Sequence, residues 1–191
     1  MKGYACFVSA ACLLAFASTA VAGPAVDAAA KAEALVAEGK PAEALDAFDA
    51  AYEALWNYMP LGFRNIHLVE SSAGYGIYEE QEDSAFRADD RMAVYVEPVG
   101  YSYAETTNGY SIDLKTSLEI RDTDGKVVAE AKDLWTGALE TRRRNREFNM
   151  TLSYLVPFMR PGDYVAVFMV RDGHSDKTGS FEVPFTMLPP T

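Results

Sequence analysis

The chemistry open to this chain is limited by the residues it lacks. Among its 191 residues are two histidines and two cysteines. His67 and His174 lie far apart and in no spacing that ligates a metal. The stretch DGHSDKTG, residues 172–179, sets Asp172, His174 and Ser175 side by side, the residue types of a hydrolase relay. Such relays are assembled from distant segments, so a polar hairpin loop is the expected reading. DTDG, residues 122–125, begins as a calcium loop would. Lys126 then falls where the third ligand should be and Val127 replaces the turn glycine, so a plain turn is expected. No His-Glu-x-x-His, Gly-x-Ser-x-Gly or glycine-rich phosphate loop occurs. The expectation is therefore no catalytic residue, no metal and no cofactor. A hydrolase with a carboxylate pair stays open, because carboxylates leave no spacing signature.

Two clusters have binding chemistry instead. ETRRRNRE places Arg142, Arg143, Arg144 and Arg146 within five positions, four of the chain's 17 basic residues. Arginine forks hold carboxylate or phosphate bidentately, which suits an anionic partner. The alternative is a solvated loop paired with the acidic stretch Glu79, Glu80, Glu82 and Asp83. Tyr101 and Tyr103, two apart near Tyr95 and Tyr110, could stack on sugar rings or serve a protein interface. Core or cross-strand packing is the competing reading.

These candidates must be positioned by the rest of the chain. Lys2, an apolar run from 5 to 17 and Ala20-Val21-Ala22 read as a secretory signal peptide, residues 1–22, cleaved after Ala22. The run is too short to span a bilayer. Cleavage removes Cys6, Cys12 and one lysine, leaving a chain without thiols and one charge more acidic than −11. Stability must then come from a packed core. A strongly acidic balance argues against nucleic acid and against anionic lipid. The expected location is periplasmic or secreted.

From residue 26 to 56 the apolar period is helical. Ala28, Ala32, Leu35 and Val36 share one face, as do Ala44, Leu45, Phe48, Ala51, Tyr52 and Leu55. Gly39 suits a helix end and Pro41 the first turn of the next helix, giving a hairpin over residues 23–60. Gly39, then Glu43-Ala44-Leu45, Phe48 and Ala51, resembles the middle of a tetratricopeptide repeat. The resemblance covers one repeat, and a lone repeat cannot bury its own apolar face.

Beyond Pro60 the period becomes two, and residues 61–191 read as a β domain. Strands are expected at 63–69, 74–78, 92–97, 110–120, 127–133, 148–154, 164–170 and 181–187. The fold class is mainly β with an N-terminal α-hairpin: an antiparallel sandwich of about seven to nine strands. RPGDYVAVFMVRDGHSDKTGSFEVPF, residues 160–185, resembles bacterial immunoglobulin-like domains, which implies that sandwich and leaves activity unspecified. In YVAVFMV, Val165, Val167 and Met169 fall on the face that should be solvated. The hairpin stripe Leu45, Phe48, Tyr52 and Leu55 is expected to cover them.

Three functions follow as expectations. The first is a non-catalytic extracytoplasmic binding or scaffold protein with a protein partner. The second is a module for carbohydrate or cell-envelope glycan using the tyrosines, and the third is the carboxylate hydrolase. Nucleic acid is not expected as a partner.

Overall fold

A computed structural model describes residues 23–190. The signal-peptide reading, with Cys6 and Cys12, lies outside the described residues. The chain divides into two compact units, one ending at Ala51 and one running from Tyr52.

The first unit is helical. Helix α1 spans Pro24–Ala37 and α2 spans Pro41–Tyr58. Gly39, at φ 74°, stops α1 by supplying the left-handed turn that side-chain-bearing residues disfavour. The Gly39 and Lys40 amides donate to the Val36 and Leu35 carbonyls, each at 3.0 Å, closing the exposed helix end. Pro41 then opens α2, where its missing N–H costs nothing. Among the described residues of this unit, Ala32, Ala44, Ala47 and Ala51 are the buried ones. Side chains this small let two helix backbones approach closely.

The second unit contains the last two turns of α2 and ten strands. Strands β2 (Ile77–Glu80), β1 (Gly62–Gly74), β4 (Arg91–Val99) and β8 (Met150–Leu155) form one sheet in that order. The other contains β3 (Ala85–Phe86), β10 (Thr178–Met187), β9 (Gly162–Asp172), β6 (Gly109–Asp122) and β5 (Ala104–Thr106), with β7 (Val127–Thr141) paired to β6. Every pairing is antiparallel except the short β3–β10 contact. The inward residues of both sheets meet in one apolar cluster. Met92, Val94, Val96 and Leu152 come from the first sheet, and Ile112, Leu114, Leu118, Ile120, Phe168 and Phe185 from the second. The arrangement is a β-sandwich with an N-terminal α-hairpin, mainly β as the alternation requires.

Four details depart from expectation. The unit boundary falls inside α2 and not at residue 60, because Tyr52, Trp56 and Leu61 join the β core. The stripe residues are treated unequally: Leu45, Phe48 and Leu55 are exposed, and Tyr52 packs with the β core of its own unit. Val167 is nevertheless buried, shielded within its own sheet between Glu119 of β6 and Glu182 of β10. Val165 and Met169 are half-buried on that same central strand, so neighbouring strands shelter all three.

The fourth departure is in β7, 15 residues long, which among the described strands pairs only with β6. Its register breaks midway: Ala131 faces Leu118 and Trp135 faces Thr116, so residues 132–134 stand opposite Ser117 alone. Asp133 takes φ 48° there, its N–H donating to Ser117 Oγ at 3.3 Å and its carboxylate meeting Arg171 at 3.1 Å. Pro184 is tolerated in β10 because β3 reaches only Thr186 and Met187, leaving that stretch of edge unpaired.

Candidate functional site

The arginine and tyrosine candidates, separate in sequence, converge on the loop between β7 and β8, residues 142–149. Tyr101 and Tyr103 follow β4, and both hydroxyls donate to the Asn145 carbonyl, at 2.6 and 2.7 Å. The Asn145 side chain clamps the loop further. Its Nδ2 donates to the Glu147 carbonyl at 3.0 Å and its Oδ1 accepts the Glu147 N–H at 3.1 Å. Flanking this knot, Arg144 lies over the rings of Tyr110 and Tyr103, at 5.0 and 6.0 Å. Arg146 lies over Tyr52 at 4.4 Å. A guanidinium over an aromatic face is attracted by the ring quadrupole, most strongly where water is partly excluded. Arg144 also pairs with Glu53, so the expected pairing of this loop with the acidic stretch at 79–83 is corrected. Within that stretch Glu79 accepts from Ser71, and Glu80 faces His67. Arg142 and Arg143, by contrast, are exposed.

The tyrosines therefore position the loop. Tyr101 is fully buried, its ring edge-on to Trp56 at 5.0 Å and to Tyr103 at 5.4 Å. It offers no face to a sugar, which corrects the stacking expectation for Tyr101. Burial pushes the Tyr101 hydroxyl well above the ordinary phenol range. The Tyr103 hydroxyl rises to about 12, burial outweighing the neighbouring Arg146 charge.

A second polar constellation was not legible beforehand. Glu97 is 2% exposed on β4, among Val96, Tyr95 and Pro98. Its carboxylate accepts from Arg64 Nε at 3.1 Å, Asn65 Nδ2 at 2.9 Å and Tyr95 Oη at 2.8 Å. Tyr95 in turn accepts the Gly76 N–H at 2.7 Å, and Arg64 reaches Tyr75. This network fixes the β1–β2 hairpin, whose Tyr78 packs on Tyr95 with ring centres 4.3 Å apart. A lone carboxylate inside MAVYVEPV was the available signal, since a buried charge needs partners.

Burial raises the Tyr95 hydroxyl to about 12, with the hydrogen bond to Glu97 adding to the effect. The protonated phenol is thus favoured in the folded state over the unfolded one, whose value is near 10. Stability from this source is complete below pH 10 and is lost as pH rises towards 12. Phenolate absorbance during alkaline titration should show Tyr95 and Tyr103 ionising with unfolding, and Tyr95→Phe should shallow the loss of stability over that window. A Tyr95→Phe profile parallel to that of the unaltered protein would contradict this.

The polar turn at residues 172–179 also resolves. Asp172 Oδ1 accepts the His174 N–H at 2.9 Å, and Oδ2 accepts the Ser102 N–H at 2.7 Å and the Ser175 hydroxyl at 2.8 Å. Its bonds hold the turn and tie it to residue 102, and none reaches the imidazole. His174 Nε2 instead meets Ser111 Oγ on β6 at 2.9 Å. Among the described residues no carboxylate meets the second ring nitrogen, the place of the group that orients a catalytic imidazole. At 122–125, Asp122 Oδ1 accepts the Asp124 and Lys126 amides at 3.1 and 2.9 Å, a turn held by its own side chain.

No protein family and no curated protein matches this chain in sequence. Among solved structures it is similar to the alkylpurine DNA glycosylase AlkC of Pseudomonas fluorescens at 11% identity and a TM-score of 0.35, over 74% of this chain and 34% of that one. It is similar to a family 123 glycoside hydrolase from Clostridium perfringens at 10% identity and 0.41, over 67% of this chain and 27% of that one. The PmoD soluble domain from Methylocystis sp. aligns at 11% identity and 0.29, over 69% of this chain and 98% of that domain. The chain spans about a third of the glycosylase and about a quarter of the hydrolase. Likenesses this distant carry no argument about function.

Proposed function

We propose that the chain is a non-catalytic extracytoplasmic binding protein, periplasmic by its N-terminal signal pattern, whose β7–β8 loop docks an acidic protein partner. The observation that supports this is the unequal treatment of the four arginines. Arg144 and Arg146 are laid on tyrosine rings, while Arg142 and Arg143 are exposed at the start of the same clamped loop. A loop held in place before binding loses little freedom on binding, so its contacts are expressed as affinity. On a chain of net charge −11 this local concentration of cations also selects the orientation in which an acidic partner approaches.

The test is a photocrosslinker placed at Arg143 and activated in the native cell envelope. It should capture one acidic protein, with yield falling steeply between about 50 and 300 mM salt, as screening predicts. Charge reversal at Arg142 should remove the product while leaving Tm unchanged to within about 1–2 °C, as expected for a surface site. The reading fails if the same product forms from a crosslinker at Val127, or if salt leaves the yield unchanged.

A further inference from the structure

The helical unit carries a surface of the opposite character. Val36, Leu45 and Phe48 are 66%, 68% and 57% exposed, and all three line one groove between α1 and α2. Ala29, Ala32 and Ala44 line it with them, enclosing about 400 Å³. The small residues leave the room and the large ones supply the contact area. The lining positions recur at spacings of three and four along both helices, so the groove runs about 10 Å, or two helical turns. Its natural complement is another helix presenting apolar residues at i, i+3 or i+4, and i+7.

Charge decides which helix. Glu33 is the charged residue lining the groove. Lys31 lines the opposite face with Glu43 and Asp46, and Lys40 is tied to Glu38 at 2.8 Å. Neither lysine therefore balances the carboxylate at the groove. A second copy of this chain would bring another acidic hairpin against this one, in a chain already at −11. An acidic helix would be repelled in the same way. The geometry points to an amphipathic helix of a partner protein, with leucine or phenylalanine on its apolar face and lysine or arginine on its flank, seated between α1 and α2.

Two synthetic helices of about 18 residues, roughly five turns, test this against the full chain. One carries a leucine stripe and a lysine flank, the other the same stripe and a glutamate flank. The lysine helix should bind at micromolar concentration and the glutamate helix at least ten-fold more weakly. Leu45→Ser with Phe48→Ser, which leaves charge unchanged, should weaken the lysine helix ten-fold or more. Glu33→Gln should weaken it several-fold and flatten its salt dependence. Exchanging these already exposed residues leaves the fold intact, which circular dichroism verifies. The inference is overturned if no helix binds, if both bind alike, or if the double variant binds the lysine helix as well as the unaltered chain does. Concentration-dependent dimerisation abolished by the double variant would overturn it in favour of a second copy. Arg142 and Arg143 variants should leave this binding unchanged, so the arginine loop and the groove stand or fall separately.

Discussion

Trp56→Ala lowers the stability of the β unit by about 3–5 kcal/mol, the range for truncating a large buried aromatic. Trp56 is 2% exposed although it stands in a helix near the start of this unit. Its ring packs against Tyr101 at 5.0 Å and Tyr52 at 5.8 Å, both edge-on, a geometry favoured by the ring quadrupoles. Its Nε1 donates to the Tyr101 carbonyl at 2.7 Å. Removing the ring deletes the apolar contact, leaves a cavity and strips a buried carbonyl of its donor, and those costs add. Trp56→Phe restores most of the area but not the donor, so it should cost about 1–2 kcal/mol. Chemical denaturation followed by near-ultraviolet circular dichroism measures both. A loss below about 1 kcal/mol for the alanine variant, well under the range for a buried aromatic, would mean that the end of α2 is an ornament on the sandwich. There is a functional reading too: Tyr101 holds the Asn145 knot, so the alanine variant should also loosen the arginine loop and weaken the salt-sensitive crosslink at Arg143.

Glu97→Ala should cost about 2–4 kcal/mol, somewhat less than breaking a wholly buried ion pair. That breakage costs about 3–5 kcal/mol, because the surviving charge is stranded. Here the Arg64 side chain is half exposed and can turn to water, which reduces that part. Asn65 is likewise exposed and can turn to water, whereas the fully buried Tyr95 Oη cannot, and a buried donor left unpaired costs about 1–3 kcal/mol. Glu97→Gln retains the shape and one acceptor oxygen, with a donating amide in place of the other, and should lose about half as much. Hydrogen exchange separates this effect from general destabilisation. Amides of the β1–β2 hairpin near Gly76 should exchange faster in Glu97→Ala, while those of β9 keep their protection order. Uniform acceleration everywhere would show that Glu97 stabilises the sandwich as a whole and does not fix the hairpin.

The fold was legible wherever one face of a strand is buried and the other wet. In β6 the inward Ile112, Leu114, Leu118 and Ile120 are fully buried, and alternation alone places them. β7 was legible only to Asp133, where three residues stand opposite Ser117 and the pairing breaks. β3 and β5, two and three residues long, are too short to show a period. The helical hairpin misled for a different reason. Its sequence offers two adjacent apolar sets, one of alanines and one of Leu45, Phe48 and Leu55. Hydrophobicity favours the larger side chains, but close approach of two helices favours the smaller, and the smaller are the ones buried. Of the arginine–tyrosine cluster, sequence supplied the residue types and topology supplied the meeting. Tyr101 and Asn145 are 44 positions apart. No spacing rule spans such a gap.

The bulge at residues 132–134 should limit how readily this protein associates edge to edge in crowded solution. An unpaired edge of 15 residues, beginning with the exposed Val127 and Val128, is a template on which foreign strands can polymerise. Interrupted at Asp133, it presents two short ribbons, each too brief for an incoming chain to zip along. The described residues include no cysteine to act as a covalent brake on fibril growth, and this irregularity in one strand supplies a geometric one.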